Sequence, residues 1–230
     1  MRYLRRILIV LVMVALPMVS AFSSDSSEET HRSDALRFKE DYESLNGAPR
    51  SEKTFALYNT VHLPEDNPVR YINAGKAAEL MDSQYSVIYF GANWCPWCRN
   101  IVPVLLNESA MSGLQTLFYV DVTEERDKYE LNGDMALKTA EGTSGYSRLL
   151  AVLDDYLEPY TLTSDCGKTI DTGEKRLYIP FLLVIENGRV MHAKLCTYEL
   201  EPGQSKYDPL TESQRDYLHL LFSEVLKTAR

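Results

Sequence analysis

Apolar residues recur along this chain in two ways, as short unbroken runs and as stripes at helical spacing. The runs Val87-Ile88-Tyr89-Phe90, Leu117-Phe118-Tyr119-Val120 and residues 181–185 predict strands buried on both faces. Residues 69–72 predict a further strand and residues 74–81 a short helix. Helical spacing of Leu36, Phe38, Tyr42 and Leu45 predicts a helix over residues 34–45, stopped by Asn46-Gly47. Leu149, Leu153 and Tyr156 predict an amphipathic helix over residues 147–157, with residues 142–145 as a flexible joint before it. Asn187-Gly188 should turn the run at 181–185 back into a strand at 190–195. Thr211-Glu212-Ser213-Gln214 reads as a capping box opening a last helix that turns Leu218, Leu221, Phe222 and Val225 inward. Alternating strands and helices point to an α/β fold with a central sheet flanked by helices.

The ends follow other rules. Residues 1–6 are short and basic, residues 7–19 are almost wholly apolar, and Val19-Ser20-Ala21 offers a small-residue cleavage pattern. This is the layout of a secretory signal peptide over residues 1–21, and its apolar run falls short of the ~20 residues of a spanning helix. Export, and a secreted or extracytoplasmic location, is the expectation; a membrane is involved only if the leader stays uncleaved as an anchor. Residues 22–33 are Ser- and Glu-rich and predict a disordered tether, and residues 34–68 an N-terminal extension ahead of one domain at 69–230. The chain carries 24 Lys and Arg against 33 Asp and Glu, and loss of Arg2, Arg5 and Arg6 with the leader would leave 21 against 33. That balance argues against nucleic acid as a partner.

The chemistry concentrates at Trp94-Cys95-Pro96-Trp97-Cys98, directly after a buried strand and at the start of a helical stretch. A cysteine at a helix N-terminus has free N–H groups and the helix dipole to stabilise its thiolate, the attacking species in thiol–disulfide exchange. Pro96 fits the first helical position, where its missing N–H costs nothing. Cys95 is therefore the expected accessible, low-pKa nucleophile, and Cys98, one turn on and shielded, the resolving thiol. A zinc site would need two more ligands, but Cys166 and Cys196 stand alone and no His is paired near a Cys, so neither metal nor cofactor is expected.

At these residues the chain resembles the thioredoxin superfamily. The stretch from Val87 through Trp94 to Cys95 looks like the strand leading into the thioredoxin active site, Pro103 matches the proline within the following helix, and Ile179-Pro180 matches the cis-proline opposite the disulfide. The exported leader adds a similarity to extracytoplasmic bacterial thioredoxin-like proteins and, more loosely, to bacteriocin-transport accessory proteins. The resemblance implies a thioredoxin-like fold in which Ile179 and Pro180 present backbone to a substrate cysteine. Where thioredoxin carries a buried Asp six positions before the first Cys, this chain has Tyr89. The span between Asp121 and Pro180 exceeds what a minimal thioredoxin fold needs, implying an insertion, expected to be helical, at about residues 133–173.

Cys166 in that insertion and Cys196 after the second hairpin strand are expected to meet at one edge as a structural disulfide, a redox relay being the alternative. Trp94, Pro96 and Trp97 flank the reactive sulfur as expected substrate contacts. Together these features predict an extracytoplasmic thiol–disulfide oxidoreductase acting on protein thiols or disulfides, with a further protein as its redox partner. The competing expectation is a non-catalytic accessory or binding protein in export or assembly.

Overall fold

The computed structural model describes residues 22–51, 54–164 and 166–227; the leader expected at residues 1–21 lies outside them. Helix α1 (Phe22–Glu43) comes first, followed by a small hairpin of β1 (Pro49–Ser51) and β2 (Thr54–Leu57). Residues 22–33, expected as a disordered tether, are instead the first part of α1. No Gly or Pro interrupts the helix, and once its later turns are docked through Ala35, Phe38 and Tyr42, each added residue gains a backbone hydrogen bond at little cost.

Next come β3 (Val69–Tyr71), α2 (Ala74–Glu79) ending in a short 3₁₀ turn, β4 (Tyr85–Gly91), α3 (Pro96–Ser112) and β5 (Leu117–Asp121). The segment between β5 and β10 contains β6 (Lys128–Asn132), β7 (Met135–Ala140), α4 (Ser144–Val152), β8 (Glu158–Thr163) and β9 (Thr169–Arg176). β10 (Phe181–Glu186), β11 (Arg189–Leu195) and α5 (Glu212–Lys227) complete the chain.

Five strands form one mixed sheet in the order β11-β10-β4-β5-β3. β4 and β3 both pair parallel with β5, while β10 runs antiparallel to β4, placing Phe181 opposite Phe90. The continuous apolar runs are the central strands: Val87 through Phe90 and Leu182 through Ile185 have no exposed surface. Edge strand β11 instead alternates between partly covered and exposed residues. α3 packs on α5, α2 packs on α4, and α1 packs beside β3. The capping box at α5 closes reciprocally, the Gln214 N–H donating to Thr211 Oγ1 at 3.4 Å and the Thr211 N–H to Gln214 Oε1 at 2.9 Å.

The segment between β5 and β10 departs from the helical expectation for residues 133–173. It holds two hairpins, β6 with β7 and β8 with β9, around the single short helix α4. Residues 142–145 are no loose joint: the Thr143 side chain caps α4 by accepting the Tyr146 N–H at 3.0 Å. Gly133-Asp134, with Gly133 in the left-handed region at φ 61°, supplies the first hairpin's turn directly after Asn132. The helical spacing of Leu149 and Leu153 covers only the middle of the segment, and its flanks pair as strands because their rings cluster. Tyr129 meets Tyr160 at 5.3 Å between centroids, and Tyr160 meets Tyr178 at 6.3 Å.

Candidate redox site at the start of helix α3

β4 runs buried to Gly91, and a turn closed by the Cys95 N–H donating to the Ala92 carbonyl at 3.2 Å delivers Cys95 to the N-cap of α3. Pro96 occupies the first helical turn, and the Cys98 N–H donates to Cys95 Sγ at 3.4 Å. The sulfur thus takes the place that a Ser or Asp side chain fills at an ordinary N-cap. α3 continues through Pro103 to a left-handed cap at Gly113. Cys98 has no exposed surface, as its shielded position predicts, but Cys95 is more enclosed than expected, with 4% of its surface exposed. The nucleophile is therefore less accessible than its helix-terminal position predicts, because the chain opposite covers it.

The two sulfurs are pushed in opposite directions. Cys95 is held below the ordinary thiol value, first by its hydrogen bond with the Cys98 thiol, then by the Cys98 and Trp97 N–H groups and the positive charge of Arg126, against the opposing effect of burial. Burial raises Cys98 well above that value, and its contact with Cys95 adds to the rise.

The covering chain is the Ile179–Pro180 dipeptide, whose peptide bond is cis, as the sequence predicts. Cys95 Sγ lies 4.0 Å from the Ile179 carbonyl oxygen. The Pro180 carbonyl accepts the Cys196 N–H at 2.8 Å, which ties the start of β10 to the end of β11. On the other side Trp94, 37% exposed, donates from Nε1 to Thr123 Oγ1 at 2.9 Å, and Arg126 sits 5.4 Å over its ring. Trp97 is half-buried and packs edge-to-face on Tyr198 at 5.0 Å. Trp94, Pro96, Trp97, Ile179 and Pro180 therefore all surround or adjoin the Cys95 end of the pair.

Three residues that carry no motif complete the site. Arg99 is fully buried, and its guanidinium donates to the carbonyls of Tyr42, Asn93 and Asn59 and to the side-chain oxygens of Asn46 and Asn59 at 2.7–3.2 Å. It stitches the N-terminal extension to the thiol-bearing helix. Arg126 supplies charge near Cys95, and Tyr89 of β4 is fully buried with its ring stacked on Tyr119 at 5.6 Å. A lone Arg in an apolar helix and a Tyr in an apolar run leave no sequence signal; only the position of Tyr89 relative to Cys95 draws attention to it.

The expected Cys166–Cys196 disulfide is absent, and both are free thiols. Cys166 is exposed in the turn between β8 and β9, beside the Ser164 hydroxyl at 3.1 Å. Cys196 is buried, and its thiol donates to the Lys194 carbonyl at 3.4 Å. The reason is strand geometry: the eight residues of β9 rise about 3.3 Å each and carry Cys166 away from Pro180 instead of doubling back toward it. The two thiols are not joined in this structure. Ser164 holds the Cys166 thiol below the ordinary range, and burial pushes Cys196 up to about 12.

A separate cleft of about 760 Å³ between α2 and α4 contains no cysteine. The Glu125 carboxylate there already accepts the Ala74 N–H and the Thr143 hydroxyl. Among the described residues no cluster of three or more His, Cys, Asp or Glu is placed to hold a metal ion, and no helix is long and apolar enough to cross a membrane. A scan against protein-family models finds no match to the chain, and a search of curated proteins finds no significant match.

Proposed function

We propose that this chain is an exported thiol–disulfide oxidoreductase of thioredoxin-like fold, acting on protein cysteines through Cys95 and Cys98. The observation that carries the reading is the pairing of a helix-capping, low-pKa Cys95 with the cis Ile179–Pro180 carbonyl 4.0 Å away. A mixed sheet with an antiparallel C-terminal hairpin beside the strand that delivers the cysteines is compatible with that fold.

In the reducing direction the Cys95 thiolate attacks one sulfur of a substrate disulfide. The substrate S–S bond breaks, a Cys95–substrate disulfide forms, and the departing sulfur takes up a proton. Cys98 then attacks Cys95 Sγ and loses its proton, the mixed disulfide breaks, and the second substrate thiol leaves protonated. Two electrons pass to the substrate, and the protein ends with a Cys95–Cys98 disulfide; the oxidising direction is the reverse. Trp94 and Trp97 supply apolar surface for the substrate chain, and the Ile179–Pro180 backbone lies along the approach to the sulfur.

A pure accessory protein would have no physical need of a thiolate-stabilising cap aimed at a covering backbone. Insulin reduction with a dithiol reductant separates the readings. The chain should accelerate precipitation of the insulin B chain, and Cys95→Ser should abolish the acceleration. Equal rates with wild type and Cys95→Ser would overturn the enzymatic reading.

A further inference from the structure

Buried charges are ordinarily paired, because an uncompensated charge out of water is costly. Among the described residues three charged side chains are buried: Arg99, Glu108 and Arg176. Arg176 pairs with Asp127 at 2.8 Å, and Glu108 meets the ionisable ring of His219 at 2.7 Å. Arg99 has no such partner. Its Nε donates to Asn59 Oδ1, its Nη1 to the Tyr42 and Asn93 carbonyls, and its Nη2 to Asn46 Oδ1 and the Asn59 carbonyl. All five N–H groups are thus used, and every acceptor is neutral. The hydrogen bonds are satisfied, but the positive charge is not.

Arg99 belongs to the wall of a cavity of about 550 Å³, bounded by residues 57–62, α3, the segment before α5 and α5 itself. That wall also carries Arg215 and His62, and no carboxylate, in a chain with 33 Asp and Glu against 24 Lys and Arg. Arg215 is exposed and makes no ion pair or side-chain hydrogen bond with a described residue. A further guanidinium, that of Arg50, lies 3.3 Å over the ring of Tyr207, another wall residue, and its Nε is buried without a hydrogen-bond partner. Asp208, next in the chain to Tyr207, turns its carboxylate to the Ser205 N–H at 2.7 Å. Much of the remaining wall is apolar, including Pro103 and buried Val104 and Leu210. Apolar walls with a few placed polar groups, around roughly 300–1,000 Å³, are the ordinary make-up of a small-molecule site.

We propose that this cavity binds a small organic anion, a carboxylate on an apolar body, clamped by Arg215 in the field of Arg99. The two arginines have different roles. Arg99 has no N–H left to donate, so it acts by charge alone, and its burial keeps that charge from being screened by water. Arg215 offers an unused donor fork that matches a carboxylate in geometry. The apolar body covers Pro103, Val104 and Leu210, which a bare inorganic anion cannot do. The bound anion supplies the counter-charge that the chain itself does not give Arg99. No cysteine lines the cavity, so the site stands independently of the redox reading.

Calorimetric titration of the full chain with octanoate tests this, with octanol, octylamine and inorganic phosphate as comparison probes. Octanoate should bind saturably, one per chain. Octanol, which has the body without the charge, should bind about tenfold more weakly or worse, and octylamine and phosphate should not bind measurably. Arg215→Gln should weaken octanoate about tenfold, as loss of one charge-assisted contact would. Thr60→Glu, which sets a carboxylate in the wall, should do the same. Both positions are exposed, so thermal unfolding should stay where it was. Arg148→Gln, in the cleft between α2 and α4, should leave octanoate binding unchanged. The proposal is overturned by absence of saturable octanoate binding, by octanol or phosphate binding as tightly as octanoate, or by Arg215→Gln and Thr60→Glu both binding like the wild type. Equal weakening by Arg148→Gln overturns it too, since that marks attraction to the surface at large.

Discussion

Cys95 and Cys166 are both thiols held below their ordinary pKa, yet they sit in opposite kinds of surroundings. Cys95 is almost enclosed, capped onto a long helix, and overlooked by a backbone carbonyl and two tryptophans. Cys166 stands in an exposed hairpin turn with one hydroxyl for company. Their counterparts contrast in the same way. Burial raises both Cys98 and Cys196, but Cys98 lies one turn from Cys95 and donates its N–H to that sulfur at 3.4 Å, whereas the Cys196 thiol donates to a backbone carbonyl. A shifted thiol is thus not enough to mark a redox centre. What distinguishes the first region is a pair driven in opposite directions within one rigid frame, which is the arrangement a two-step exchange needs.

That frame is where the contrast breaks most severely. Arg99→Ala would leave the oxygens of Tyr42, Asn46, Asn59 and Asn93 without their buried donor and uncouple the N-terminal extension from α3. A loss of about 3 kcal/mol or more in urea unfolding is expected. A loss below about 1 kcal/mol would mean that the extension is held by its apolar contacts alone.

Next in size is Gly91→Ala. The new methyl would lie 2.6 Å from Tyr89 Oη and must move a fully buried ring, so about 1–3 kcal/mol of stability should go with it. No equivalent cost is expected at Gly167 beside Cys166 from crowding, since nothing lies within 4 Å of a Cβ there; its φ of 82° is the only penalty.

Limiting iodoacetamide on the reduced protein sharpens the comparison among the thiols. The lowered pKa values of Cys95 and Cys166 mean that their thiolates persist as pH falls below the ordinary thiol value of about 8.5, while the raised values of Cys98 and Cys196 mean that theirs do not. At mildly acidic pH, mass spectrometry should find label first on exposed Cys166 and then on Cys95, with Cys98 and Cys196 unlabelled. Preferential labelling of Cys98 over Cys95 would reverse their assigned roles. The smallest effect expected is that of Arg126→Gln, which removes one favourable charge among several favourable contacts. It should raise the pH midpoint of Cys95 labelling by a fraction of a unit and leave Cys166 where it was.

Much of the site frame was legible because it is written in local signals. Unbroken apolar runs marked β4, β5 and β10, Asn187-Gly188 marked the β10–β11 hairpin, and Thr211 to Gln214 marked the start of α5. Cys95, Pro96 and Cys98 declared the helix N-terminus on the same grounds. The segment between β5 and β10 was misread because Leu149 and Leu153 carry a helical period, whereas β6 through β9 are short, half-exposed and held by ring contacts between segments far apart in sequence. Asn132-Gly133 was a usable turn signal there. The Cys166–Cys196 expectation failed for a different reason: positions counted along a chain bound how near two residues can come, but not which way a hairpin carries them. The tyrosines of the site lay beyond sequence reading, since the contacts of Tyr89 with Tyr42 and Tyr119 depend on α1, β4 and β5 coming together.

The account rests on Cys95 and Cys98 forming a reversible couple whose reduced state is favoured by the Cys95 thiolate. Stabilising that thiolate makes the disulfide more oxidising. Equilibration of the protein against glutathione buffers, followed by acid trapping and mass analysis of each cysteine, measures this directly. The expected result is a two-electron transition confined to Cys95 and Cys98, with a potential above the roughly −270 mV of thioredoxin and near the range of about −200 to −230 mV. A potential at or below that of thioredoxin would contradict the thiolate-stabilisation argument, and the absence of any Cys95–Cys98 disulfide across the buffers would contradict the redox site itself.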